Sequence, residues 1–175
     1  MAKRLPTIYL AGAIRDNRPE DAAWRELFIQ TLNGLAVFLN PLAGKKFNSV
    51  TNTWSLYGHK HGTKQAGGRY IVKKDFWSVD RADILVINML SLAERYPFIG
   101  SLIEYGRATK TGALVFCIVP EKYTGHGHTA ETFGLHPFIE ENSAIVFHDV
   151  ESCVSFLKGE LLASSGIDPH YGGTS

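Results

Sequence analysis

Ile84-Leu85-Val86-Ile87-Asn88-Met89-Leu90, followed by Gly100-Ser101-Leu102-Ile103-Glu104-Tyr105-Gly106-Arg107-Ala108, decides how this chain is read. The first stretch is a continuous apolar run of strand length and reads as a buried strand. The second opens a helix and puts the Glu104 carboxylate in its first turn. In open α/β sheets, ligands bind outside the carboxyl ends of the strands. The unpaired N–H groups of a helix start also favour negative charge nearby. On this segment alone, a carboxylate that merely complements the helix dipole is the favoured explanation, and the rest of the chain reverses that order.

Working outward, strands alternate with helical patterns. Thr7 to Ala11 is a short apolar strand ended by Gly12. Pro19 suits the start of a helix, whose Trp24, Leu27, Phe28 and Leu32 recur at helical spacing and which Asn33-Gly34 closes. Leu35 to Leu39 is a second strand. Leu42 to Arg69 is polar and rich in Gly, Lys and His, too long for an ordinary connection, and reads as a functional or partly disordered loop. Tyr70 to Arg81 reads as a helix with Ile71, Phe76 and Val79 inward. Gly100 to Thr111 is the next helix, closed by Gly112. Ala113 to Val119 is nearly all apolar, as a parallel strand covered on both faces should be. Ala144 to Phe147 is a fifth strand, and an amphipathic helix runs from about Val150 to Leu162. The pattern predicts an α/β fold, a doubly wound five-stranded parallel sheet of order 2-1-3-4-5, with helices on both faces. It is read as one domain over residues 1–163 with a flexible tail, 164–175. In that order the switch point lies between the first and third strands, so the loops Gly12 to Arg18 and Ser91 to Ser101 meet there.

Composition narrows the class. A chain of 175 residues, 45% hydrophobic and 20% charged, suits one compact core. A net charge of +1 does not indicate a nucleic-acid grip. Cys117 and Cys153 fall in apolar or helical patterns and read as buried thiols, so neither a disulfide framework nor a zinc site is indicated. No apolar stretch approaches the roughly 20 residues needed to span a bilayer. A soluble, cytoplasmic setting is the expectation, with no membrane partner.

Each candidate group has a plain alternative. Tyr9 is either a core aromatic or a phenol reaching the crevice beside Glu104. Arg15 is either a solvated arginine or a planar fork for an anionic group. Asp75, one helical turn before Val79, is either an exposed carboxylate or one aimed at the ligand end of the sheet. Asp80 and Asp83 read as solvated or helix-terminal groups. Two carboxylates in one cleft can divide the work of glycosyl transfer, one attacking the anomeric carbon and the other protonating the leaving group. Gly58-His59-Lys60-His61-Gly62-Thr63-Lys64 is a weak metal signal and lacks P-loop spacing. Gly125-His126-Gly127-His128 is no stronger. Neither a metal nor a cofactor is called for.

Taken together, Ile8-Tyr9-Leu10-Ala11-Gly12-Ala13-Ile14-Arg15, Asp75 with Ala82-Asp83, and Gly100-Ser101 with Glu104, Gly106 and Ala108 resemble the nucleoside 2-deoxyribosyltransferase superfamily, which includes the 2'-deoxynucleoside 5'-phosphate N-hydrolases. The resemblance runs from Thr7 to about Leu157. It implies a flavodoxin-like sheet, cleavage of an N-glycosidic bond, and a small-molecule nucleoside or nucleotide partner. Glu104 would match the nucleophile, Asp75 the acid that protonates the departing base, and Tyr9 the tyrosine that orients the nucleophile. Gly12, Ala13, Arg15 and Asp16 would contact substrate from the first loop, and Phe98, Gly100 and Ser101 from the other. Arg15 matches a phosphate-contacting arginine, which favours a 5'-monophosphate. Asn142 or Ser143 would complete the pocket of a neighbouring subunit in a homodimer or larger homo-oligomer. Two departures stand out. Ala13 replaces a serine of the nucleotide hydrolases. Phe98 stands where the transferases carry an aspartate, and the hydrolases a serine, that contacts the sugar. Lys60, Lys64 or Arg69 is a candidate replacement phosphate grip. The competing functions are a non-catalytic nucleotide-binding module, an NAD glycohydrolase and, least supported, a redox flavodoxin.

Overall fold

The computed structural model describes residues 4–15, 18–42, 45–48, 53–56, 64–91, 99–121 and 137–165. Apolar runs become the strands of one parallel sheet. These are β1 (Thr7–Gly12), β2 (Val37–Leu39), β5 (Ile84–Asn88), β6 (Leu114–Ile118) and β7 (Ile145–Phe147), in the order β2-β1-β5-β6-β7. This is the expected 2-1-3-4-5 order with the first and third strands adjacent. The register pairs Tyr9 with Leu85 and Gly12 with Asn88, so β1 and β5 end level at the carboxyl edge.

Alternation along β1 divides the core. Ile8 and Leu10 join Trp24 and Phe28 of α1 (Glu20–Thr31) and Val154 and Leu157 of α5 (Val150–Ser165). Tyr9 and Ala11 face the other way, toward Val79 of α2 (Lys64–Val79) and Tyr105 and Ala108 of α3 (Ile99–Thr111). Gly34 at φ 76° and Gly112 at φ 79° close α1 and α3, as expected of glycines past a helix end. Gly12 serves a different need, because a Cβ there would come within 3.1 Å of both Asn88 O and Trp24 Cζ2. Its lack of a side chain lets β1 finish against β5 and α1.

The stretch expected to be a long loop contains regular elements. It contains the antiparallel hairpin β3 (Lys45–Asn48) and β4 (Thr53–Leu56), and α2 begins at Lys64 rather than Tyr70. Gly67 and Gly68 lie within it, although each glycine costs about 1 kcal/mol in a helix interior. The helix passes through them, anchored downstream by buried Asp75, Ser78 and Val79. A short α4 (Pro137–Glu140) was not anticipated, and α5 continues three residues past Leu162. The tail from 166 on lies outside the described residues. Among the described residues no helix is long and apolar enough to cross a membrane.

Candidate active site

Tyr9 is fully buried in the middle of β1, and its hydroxyl donates to Glu104 Oε1 at 2.7 Å. Helix α3 starts at Ile99, so Glu104 sits in the second turn rather than the first and the dipole explanation of its position falls away. Its partner instead comes from a strand 95 positions away in sequence. Burial pushes the Tyr9 phenol far above its ordinary value. The charges of Glu104 and Asp75 and the hydrogen bond to Glu104 act in the same direction, against a smaller opposing effect of Arg25. The phenol therefore stays protonated and remains a donor to the carboxylate.

Asp75 is not the exposed carboxylate that spacing alone favours. It is 8% exposed, four residues before the fully buried Val79 of the same helix, and near enough to Tyr9 for its charge to act there. One strand and two helices thus bring Tyr9, Glu104 and Asp75 together at the α2/α3 face.

Arg25 has no counterpart in the sequence reading. It is fully buried in α1 and lies 4.5 Å from the Trp24 ring centroid. Its guanidinium donates to the carbonyls of Leu10 at 3.2 Å, Gly12 at 2.9 Å, Ala13 at 3.4 Å and, more closely, Asp21. Burial pushes Arg25 down to about 10, with the negative charge of Asp21 the largest opposing effect, so it is still a cation at neutral pH. It clamps the turn by which β1 leaves the sheet. The buried residues Asp21, Trp24, Arg25 and Phe28 follow i, i+3, i+4, i+7, so a helical stripe with two opposite charges in it was the available signal.

The first loop differs from expectation at Arg15. Rather than an open fork, Arg15 is closed on Asp21, with Nε 2.9 Å from Oδ2, Nη2 2.7 Å from Oδ1 and the Arg15 amide 2.8 Å from Oδ2. The two side chains are 12% and 8% exposed. Asp21 lies in the first turn of α1, which carries it back over the loop. Removing one partner of a buried pair costs about 3–5 kcal/mol. Beside the pair is a cavity of about 240 Å³ lined by Ala13, Arg15, Glu20, Asp21, Trp24, Asn88, Leu90, Ser91 and Val150. Asn88 Oδ1 accepts the Leu90 amide at 3.0 Å. Ser91, 6% exposed, has no hydrogen-bond partner for its hydroxyl among the described residues. Asp21, Asn88 and Ser91 were not singled out from sequence.

The remaining candidates separate. Ser101 is buried in α3, while Gly100 is exposed with open space around it. Asn142 Nδ2 donates to Phe138 O at 2.8 Å and Ser143 Oγ to Ile139 O at 2.5 Å, so both close the end of α4 within their own chain. Asp80 is held by Arg107 at 2.5 and 2.7 Å, and Asp83 accepts the Thr7 amide at 2.7 Å and Arg4 at 2.5 Å. Both acids tie elements together. Cys117 and Cys153 are free and buried, as expected. Asp16, Phe98, His59, Lys60, His61, the 125–128 run and the side chains of Lys64 and Arg69 lie outside the described residues. Among the described residues no group of three His, Cys, Asp or Glu side chains is placed to hold a metal.

No protein-family model matches the sequence, and neither does any curated protein. Solved structures do match. A 2-deoxyribosyltransferase from Bacillus psychrosaccharolyticus superposes with a TM-score of 0.60 at 18% identity, over 89% of this chain and 95% of that one. The fold is that of the 2-deoxyribosyltransferases. The enzyme of that name from Leishmania mexicana gives a TM-score of 0.60 at 17% identity, over 88% and 97% of the two chains. A Clostridium botulinum CMP N-glycosidase is more distant, with a TM-score of 0.48 at 13% identity over 86% and 97%.

Proposed function

We propose that this protein breaks the N-glycosidic bond of a nucleoside or its 5'-monophosphate, releasing the base or exchanging it for another. The observation that carries the reading is the 2.7 Å hydrogen bond from the buried Tyr9 hydroxyl to Glu104 Oε1, with buried Asp75 beside it. Fold-sharing structures named as 2-deoxyribosyltransferases support it.

In this mechanism Glu104 attacks the anomeric carbon as a carboxylate. Tyr9 holds one of its oxygens and so fixes the plane of the group. The bond from carbon to base nitrogen breaks with its electron pair going to the base, and Asp75, in its protonated form, gives that nitrogen a proton. The glycosyl ester on Glu104 is then resolved by water or by a second base, with Asp75 taking up the acceptor's proton. Asn142 and Ser143 are bonded within their own chain, so the homodimer reading rests on the resemblance rather than on those side chains.

The test is base release, followed by chromatography, from nucleosides and 5'-monophosphates, with and without a free second base. Release by the wild type that disappears in Glu104→Gln supports the reading. Release that survives the substitution overturns Glu104 as nucleophile. A new nucleoside that forms only with added base identifies transfer.

A further inference from the structure

The two carboxylates Asp75 and Glu104 stand on different helices. Asp75 is carried by α2, which leads into β5, and Glu104 by α3, which follows it. Val79 of α2 and Tyr105 and Ala108 of α3 pack in one cluster against the sheet. Apolar burial holds such helices together but is non-directional, so it does not by itself set how one lies along the other. A nucleophile and an acid that act on the two ends of one bond need a fixed separation, and a misplacement of about 1 Å can cost roughly 100-fold in rate.

A directional tie lies one turn away from these groups. Asp80 follows the last residue of α2, and its amide still donates to Phe76 O at 3.0 Å, so it moves with that helix. Arg107 lies three residues after Glu104 on α3, a spacing that puts the two on one side of the helix. Its Nε donates to Asp80 Oδ1 at 2.5 Å and its Nη2 to Asp80 Oδ2 at 2.7 Å. Its Cζ lies 4.7 Å from the centroid of the Phe76 ring, and Phe76 is the residue after Asp75. One planar group on the helix of Glu104 is thus held by an acid and a ring on the helix of Asp75. The paired hydrogen bonds fix distance and rotation together, and the ring beneath adds a second contact. The Arg107 and Asp80 side chains are 41% and 33% exposed, and a pair so open to water adds little to stability. Its contribution is alignment.

We propose that Arg107 is a positioning residue: by gripping Asp80 and lying over Phe76 it holds the helix of Asp75 in register with the helix of Glu104, and so sets how well the acid reaches the departing base. It acts through the two helices rather than on the substrate. The roles of acid and nucleophile rest on the glycosidic reading above. The tie between the helices does not.

The experiment compares the full chain with Arg107→Lys, which keeps the charge and loses the fork, with Asp80→Asn, and with the double variant. Base release is measured on a purine nucleoside and on its N7-methylated form, whose base leaves as a neutral molecule without an added proton. In both single variants kcat for the unmethylated nucleoside is expected to fall by about ten- to a hundredfold, with KM within about twofold of the wild type. The melting temperature should stay within about 4 °C. The N7-methylated compound should lose less than about threefold, because its departure does not use the acid. The double variant should be no slower than the slower single one, since both break the same tie. Spin labels on Lys73→Cys and Lys110→Cys, exposed positions of α2 and α3, read the helices directly. One narrow distance is expected in the wild type and a broadened or displaced one in Arg107→Lys. An unchanged kcat, an equal loss on both compounds, or an unchanged distance overturns the proposal. If the wild type cleaves neither compound, it is the glycosidic reading that fails, and the spin-label distance alone decides whether Arg107 ties the helices.

Discussion

On the α1/α5 face of the sheet a buried cation, Arg25, donates to backbone carbonyls of Leu10, Gly12, Ala13 and Asp21. On the α2/α3 face a buried phenol, Tyr9, donates to a side-chain carboxylate, with a second carboxylate close by. Neighbouring residues of one strand feed both arrangements, Leu10 the first and Tyr9 the second. The first face commits its charge to main-chain oxygens that have nowhere to go, which suits holding a turn in place. The second gathers a phenol and two carboxylates in one place, which suits chemistry. The comparison predicts that substitutions on the α1/α5 face act on stability and those on the α2/α3 face on rate.

The largest expected effect tests the second half of that statement. Glu104→Gln keeps the shape and a hydrogen-bond acceptor for Tyr9 but removes the nucleophilic charge. Base release should fall by roughly 10³-fold or more, while the melting temperature changes little. A melting transition that collapses together with the activity would mean that Glu104 is a structural partner of Tyr9, and the contrast between the faces would be lost.

Arg25→Met tests the first half. It fills most of the volume but leaves buried carbonyls without their donor, and at about 1–3 kcal/mol for each group left unsatisfied the total should be about 3–5 kcal/mol. For a chain of this size that corresponds to a drop of roughly 6–20 °C in melting temperature. Denaturant unfolding checks it. A variant as stable as the wild type would show that the clamp is dispensable.

The contrast also marks where sequence reading succeeds. The sheet order and the meeting of Tyr9 with Glu104 were legible because they stem from apolar runs and from topology, which carry long-range information: if the first and third strands are adjacent, residue 9 must face the helix entered from the third strand. The Arg15–Asp21 pair and the Arg25 clamp were not legible, because they depend on how the first turn of α1 folds back over a loop. Asp21 and Arg25 carry no signal singly; the stripe they share with Trp24 and Phe28 is what marks them as buried. The β3–β4 hairpin escaped notice for a third reason, since Lys45-Lys46-Phe47-Asn48 lacks the alternation that identifies a half-buried strand.

Tyr9→Phe sharpens the comparison at the residue where the two faces meet. Loss of a hydrogen bond to a charged group is worth about 1.5–3 kcal/mol, so base release should drop by roughly ten- to a hundredfold. A smaller loss would place the orienting role elsewhere.

The same substitution gives a pH signature that separates the phenol from the carboxylates. Tyr9 is held protonated in the fold, whereas an unfolded tyrosine ionises near pH ~10. Above that value the unfolded chain has lost a proton that the folded chain keeps, so stability falls as pH rises further. In Tyr9→Phe that part of the alkaline decline should vanish.

The smallest expected effect concerns the thiols, one beside each face of the sheet. Burial pushes Cys117 up to about 11, partly offset by the Ser143 hydroxyl, and Cys153 up to about 12. At pH ~8 each is then almost wholly in the unreactive thiol form. A thiol-specific chromogenic reagent should label neither in the native protein and both in denaturant. Because Cys117 packs with the α2/α3 cluster and Cys153 with the α1/α5 cluster, the rate at which each becomes reactive under mild denaturant reports the opening of its own face. In Arg25→Met, Cys153 should be exposed first and Cys117 later. Simultaneous labelling would mean that the faces open as one unit, and the division between a holding face and a reacting face would then describe their chemistry but not their stability.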